Sequence, residues 1–395
     1  MKEINATKQK ILIGGFIIII ILAIVMIGVM FFKKDKKVVQ SINNSKTQNK
    51  DKQKNENVKT VDQGNNTRPK NNNSNKSKFL KLTSDNVTGL KIKKGTNQAI
   101  FFQKQNILTV DPFSGKKHAI GSYPFKEVKK FLWAKNVNKA IINDSGEYYI
   151  YNLENNTVNK FKDKIDIAIW NATDNKIIYK YYNSKTHKRK IRVSDLQSGD
   201  NKVLVDNLPY RKVDLILQPN TDRFCYFPTP DARVKGKLFC LDSNGSNKKE
   251  YGGRYGQNYL WSPNGNKILT SFTKENTGSS LVLGVMNKNG GEAKGLSFGT
   301  TVKKCVWSKN NVDIYCAMVV GAKDNSILPN DWRDKEFYSK DTFWKINTDT
   351  GKKKRLTELK DIIEELDTAS LIIDPEEEFL FFINRKNGDL WRLKL

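Results

Sequence analysis

The chain has 395 residues, of which 69 are Lys or Arg and 41 Asp or Glu, for a formal charge of +28, and it holds two His and four Cys. Two histidines are too few for multi-histidine metal sites and for most acid/base machinery, and no GxSxG elbow, GxxxxGK[ST] loop or HExxH pair occurs. A basic surplus of this size suits anionic partners, but the cations are scattered, without arginine–aromatic clustering or a recognisable module, so nucleic acid is not an expected partner.

Residues 1–10 form a short N-terminal tail. Residues 11–32, ILIGGFIIIIILAIVMIGVMFF, then run for 22 positions without a charge. That suffices to cross a hydrocarbon core of about 30 Å as a helix rising about 1.5 Å per residue. A cleavable signal would have a shorter apolar core ending in small residues, whereas this one continues into Phe31, Phe32, Lys33 and Lys34. The segment therefore reads as a single-pass transmembrane helix. Lysines flank it on both sides, so charge does not orient it; a ten-residue tail before a large domain is the plan of an anchor with its N-terminus inside. Residues 33–78 are mostly Lys, Asn, Gln, Ser and Asp, too polar to offset the entropy of ordering. They read as a disordered linker with a reach of about 35 to 40 Å.

From residue 79 the texture changes to short apolar or alternating runs separated by Asn, Asp, Gly and Ser, the pattern of an all-β domain. The clearest phrase is YLWSPNGNKILTSF at 259–272. Its Asn264-Gly265 pair predicts a hairpin turn with both positions at positive φ. Weaker copies place equivalent markers at Ile92, Trp133, Trp170, Leu217, Trp261, Trp307 and Ile373, at intervals of 41, 37, 47, 44, 46 and 66 residues. All but the last fit a four-stranded propeller blade of about 40 to 50 residues. Seven markers predict a seven-bladed β-propeller over 79–395. The last blade has only three strands of its own, so the segment 79–83 is expected to supply the fourth and close the ring.

The same register pairs the cysteines. If Trp261 faces Ile268 in the fifth blade, Cys305 faces Cys316 in the sixth, and Cys225 and Cys240 lie on neighbouring strands of the fourth. Facing positions of this kind are within disulfide reach. Two disulfides would place the domain in an oxidising compartment, on a cell membrane and outside the cytoplasm; the alternative is four buried free thiols.

The phrase WSPNGNKILTSF, with the turn around Asp242 to Asn247, resembles the repeat of TolB-like and WD-repeat-like β-propellers. It is also similar to the propeller half of the prolyl-oligopeptidase and dipeptidyl-peptidase families. The resemblance implies the fold, and TolB-like proteins bind other proteins of the cell envelope.

Among individual residues, Trp133, Trp170, Trp261 and Trp307 are expected to pack between blades. The run Glu358, Asp361, Glu364, Glu365 and Asp367 reads as a surface face, not a metal site, and Glu376 to Glu378 as a solubilising turn. The long sixth interval reflects an insertion, Gly321 to Asp341, that mixes Trp332, Arg333, Phe337 and Tyr338 with the acids Asp331, Asp334 and Glu336. Trp, Tyr and Arg supply interface hot spots, although a loop that only seals the propeller would use them too. Three loops between second and third strands, Tyr182 to Arg189, Thr229 to Gly236 and Gly321 to Asp341, are longer than the opposing turns, so their face is the expected binding face. The candidate binding residues are Trp332, Arg333, Tyr338, Asp331, Arg233 and His187. The expected function is a scaffold in the cell envelope, not an enzyme, that binds another envelope protein or a surface ligand and needs no cofactor or metal. The alternative is a propeller enzyme acting on a cell-surface polymer through carboxylates in the central channel.

Overall fold

Alternating apolar positions give each strand one face for each neighbouring sheet, so the chain folds as a succession of small antiparallel sheets. The computed structural model describes residues 78–395 except 136, 137, 162 and 363. The expected tail at 1–10, the apolar span at 11–32 and the linker up to residue 77 lie outside the described residues. Among the described residues no helix is long and apolar enough to cross a membrane.

Strand β1 (Phe79–Lys81) precedes a first sheet of β2 (Thr88–Ile92), β3 (Ala99–Gln103), β4 (Asn106–Val110) and β5 (Lys117–Ser122). The second holds β6 (Val128–Trp133), β7 (Lys139–Asp144), β8 (Glu147–Asn152) and β9 (Thr157–Lys160). The third holds β10 (Ile165–Trp170), β11 (Lys176–Asn183), β12 (Lys188–Asp195) and β13 (Asn201–Val205). A seven-stranded sheet follows, with β14 (Val213–Leu217), β15 (Phe224–Pro228), β16 (Lys235–Leu241), β17 (Lys249–Trp261), β18 (Lys267–Thr273), β19 (Leu281–Asn287) and β20 (Gly290–Gly295). Its 13-residue β17 pairs with β16 through its first part and with β18 through its second. Then come β21 (Cys305–Trp307), β22 (Asp313–Met318), β23 (Thr342–Asn347) and β24 (Lys353–Arg355), with a short helix, α1 (Asn330–Asp334), between β22 and β23. The last sheet is β25 (Thr368–Ile373), β26 (Phe379–Asn384) and β27 (Leu390–Lys394), with β1 as its fourth strand, Phe79 opposite Leu393.

The core is a series of interfaces between consecutive sheets. Phe102 and Ile107 of the first sheet pack with Phe131 and Trp133 of the second. At the far end, Phe379, Phe381 and Leu390 of the last sheet pack with Phe101 and Val110 of the first, which closes the succession on itself. The four marker tryptophans are buried as expected. Three also bond the preceding sheet: Trp133 Nε1 donates to the Gly89 carbonyl at 2.6 Å, Trp170 to Leu132 at 3.0 Å and Trp307 to Leu260 at 3.3 Å.

The registers match the sequence reading. Trp261 lies opposite Ile268, Cys225 opposite Cys240 and Cys305 opposite Cys316, and both cysteine pairs form disulfides. The turn at Asn264-Gly265 differs from expectation. Only Gly265 is left-handed, at φ +71°, and its N–H bonds the Ser262 carbonyl at 2.8 Å. Asn264 instead uses its side-chain oxygen to accept from the Asn266 N–H at 3.0 Å, the local bonding that suits Asn to turns.

Candidate functional site

The connections between sheets and the loops between second and third strands gather at one end of the sheets. The 321–341 insertion lies there against two of its neighbours. Asn330 Oδ1 accepts from the Ala232 N–H at 2.8 Å, and the Leu328 N–H donates to the Gly278 carbonyl at 2.9 Å. At the other end Lys78 meets the chain terminus, its carbonyl accepting from the Lys394 N–H at 2.9 Å beside Phe379.

A buried ion network holds the insertion down. Lys304, fully buried just before β21, donates from Nζ to Asp341 and Asp367 at 2.6 Å each and to Ser339 Oγ at 2.8 Å. Asp367 also accepts from Trp332 Nε1 at 2.9 Å and from Arg385 Nη2 at 2.7 Å. Arg385 in turn bonds the Phe337 carbonyl at 2.7 Å and stacks on Trp332 and Tyr338. Burial opposes the charge on Asp367, but Lys304, Trp332 and Arg385 together hold its carboxyl below the usual range. Burial pushes Asp341 up against the same lysine. Two cations therefore balance two carboxylates away from water, as buried charge requires. This corrects the reading of Asp367 as part of a surface face. Glu377 is likewise more than solubilising: its carboxylate accepts from Ser308 Oγ and the Lys309 N–H at 2.7 Å each and so ties the last sheet to its neighbour.

Beside this network opens a groove of about 970 Å³ that carries Lys104, Lys126, Lys129, Lys335, Arg385 and Lys386 and no carboxylate in its lining. Lys104 stands in the tight turn between β3 and β4, where it and Gln105 are both left-handed. Lys126 and Lys129 flank the start of β6, and Lys335 caps α1 in the left-handed conformation at φ +67°. Arg385 and Lys386 come from the loop between β26 and β27. Lys104 pairs with Asp85 at 2.8 Å and Lys386 with Glu365 at 3.2 Å. Lys126, Lys129 and Lys335 have no ion pair among the described residues. Their uncompensated charge makes the groove an attractor for anions.

The residues singled out in the sequence are only partly brought together. Trp332 is buried, with Nε1 committed to Asp367, and Asp331 accepts from the Ile327 N–H at 2.8 Å within its own turn. Arg333 reaches the Pro230 carbonyl and Asp334, and Arg233 is exposed on the loop that the insertion touches. Tyr338 is exposed under Arg385. His187 stands on another loop, with Nδ1 3.0 Å from Tyr182 Oη. None of these lines the groove. The six groove cations carry no signal in the sequence, because they come from separate loops of a lysine-rich chain and share no local motif.

No family model matches the chain, and no curated protein does. Among solved structures, one titled "Oligogalacturonate lyase in complex with manganese" is similar at 11% identity, with a TM-score of 0.58, over 80% of this chain and 93% of that one. The β-propeller domain of Cps50 (Swd1) from Myceliophteria thermophila is similar at 9% identity, with a TM-score of 0.53, over 80% and 98%. The expectation that the chain is not an enzyme is overturned by the first of these: a lyase has this fold over most of its length, so the lack of hydrolase, P-loop and zinc motifs is no ground for excluding catalysis. At these identities the likeness concerns the fold, which is an all-β fold of the β-propeller kind.

Proposed function

We propose that this chain is a seven-bladed β-propeller, TolB-like in its turn phrases, that binds an anionic ligand of the cell envelope in the basic groove. The blade count takes β17 as the outer strand of one blade and the inner strand of the next, with β1 closing the last. Residues 11–32 anchor the protein as a single membrane pass, residues 33–78 tether it, and the propeller stands outside the cytoplasm. The two disulfides support that compartment, because such bonds persist where conditions are oxidising. Lys78, where the described residues begin, lies at the end of the sheets opposite the groove.

The observation that carries the binding function is the groove itself, with six cations and no carboxylate in its lining. Low-dielectric walls concentrate such a field and raise the local concentration of anions. The test is binding of the purified full-length protein to an anionic envelope polymer at low and high salt. Lys126→Glu with Lys129→Glu is expected to abolish binding, whereas Lys352→Glu with Lys353→Glu, at the other end of the sheets, should leave most of it. Equal loss in both double variants would overturn the assignment to the groove.

A further inference from the structure

Next to Lys129 on β6, Lys130 lines a second cavity of about 360 Å³, together with Lys180, Arg211, Lys212, Asp166 and Asp214. Lys180 is already committed, pairing with Asp166 and donating to the Arg211 carbonyl at 2.9 Å. Lys130 and Lys212 have no ion pair among the described residues. Solvent reaches the Lys130 side chain, yet the surrounding wall withholds enough water to lower its pKa, with Asp214 opposing and Lys303 adding to the shift. Asp214 presents the opposite need. Its Oδ2 is buried without a hydrogen-bond donor among the described residues, and Lys303 Nζ lies 3.5 Å away as an ionic neighbour.

Two lysines without an ion pair and a carboxylate held only by a long ion pair to Lys303 thus share one cavity. A bare polyphosphate or a nucleic-acid backbone would satisfy the lysines but bring like charge to Asp214 and Asp166. A neutral sugar would satisfy the carboxylates alone. A sugar or polyol unit that carries an acid group offers an anion and hydroxyl donors together. Lys129 and Lys130 are adjacent on β6, and because side chains alternate along a strand the groove faces the first sheet and the second cavity the third; a flexible chain that fills both crosses β6 between them.

We propose that this second cavity is a subsite for an acidic, hydroxyl-bearing unit, and that the ligand of the groove is an acidic glycopolymer whose successive units fill both cavities. The inference rests on the groove as an anion site. Phosphate and carboxylate both supply the acid this cavity needs, and the probes separate the two: polyglycerol phosphate and alginate, with inorganic polyphosphate, single-stranded DNA and neutral dextran for comparison. Titrations use the full-length protein in detergent. The expected result is that at least one acidic glycopolymer binds more tightly than polyphosphate or DNA of equal charge, with affinity rising with chain length. Asp214→Asn should weaken that binding about tenfold, the cost of a hydrogen bond to a charged group, while polyphosphate, relieved of one like charge, binds at least as tightly as before. Lys130→Gln with Lys212→Gln provides a second route to the same loss if Asp214→Asn fails to fold. Equal binding of DNA, polyphosphate and glycopolymer, with no effect of either variant, would overturn the subsite while leaving the groove intact. No binding of any anionic polymer by the unmodified protein would overturn the groove, and the subsite with it.

Discussion

Among single residues, Lys304 matters most for the architecture of the loop face. Its ammonium is the shared partner of Asp341 and Asp367, and all three side chains are shut away from water. Removing one member of a buried pair leaves the others unpaired, at a cost of about 3 to 5 kcal/mol. Lys304→Met is therefore expected to lower stability by that amount at neutral pH, measured by urea denaturation. The pH dependence follows from Asp367, whose folded pKa lies below its ordinary value. Its contribution is complete above an unfolded pKa of about 3.9 and is lost as pH falls through the lower folded value. In the variant Asp367 keeps Arg385 while Asp341 loses its one ion-pair partner, so Asp341 is expected to take up a proton at higher pH. The gap between the two proteins should then narrow as pH falls toward the carboxylate range. A gap that stays constant with pH would count against the charge argument and in favour of lost packing.

Among strands and turns, the disulfides join neighbours that the backbone has already paired. Cys225 and Cys240 are 15 residues apart, and Cys305 and Cys316 are 11 apart. A closed loop of this length is worth about 3 kcal/mol in the chain-entropy account. Replacing either pair by Ser is expected to cost about 2 to 4 kcal/mol, while mass spectrometry of the unmodified, non-reduced protein should find both links and no free thiol. Gly265 shows why a turn residue can matter beyond its own hairpin: a Cβ there would lie 2.5 Å from the Pro219 carbonyl oxygen of the adjacent unit, in a left-handed conformation that already disfavours a side chain.

For the domain taken together, closure depends on a three-residue strand. Phe79 of β1 is buried against Phe343 and Leu393, and Arg392 beside it donates to the Pro112 carbonyl of the first sheet at 2.7 Å. Deleting residues 79–83 would leave β27 as an open edge, which can pair with another chain. The truncated protein is expected to unfold at lower urea concentration and to self-associate, as read by light scattering; a monomer of unchanged stability would show that β1 is dispensable.

The features legible in the sequence are local ones. Strand alternation, the Asn/Asp/Gly turns and the cysteine registers each involve residues within one hairpin or its neighbour, so the repeat stands out and the pairings Cys225–Cys240 and Cys305–Cys316 follow from strand register alone. The insertion at 321–341 is visible as an overlong interval, but what it does there is not: Trp332 and Asp367, distant along the chain, meet at Lys304 only after the last two sheets have packed. The groove lies still further from view. Its cations come from positions between 104 and 386, and in a chain with 69 Lys and Arg no local spacing distinguishes them. Only closure of the first sheet on the last brings Lys104 and Lys129 beside Arg385, because nearness between distant segments is set by packing and not by sequence.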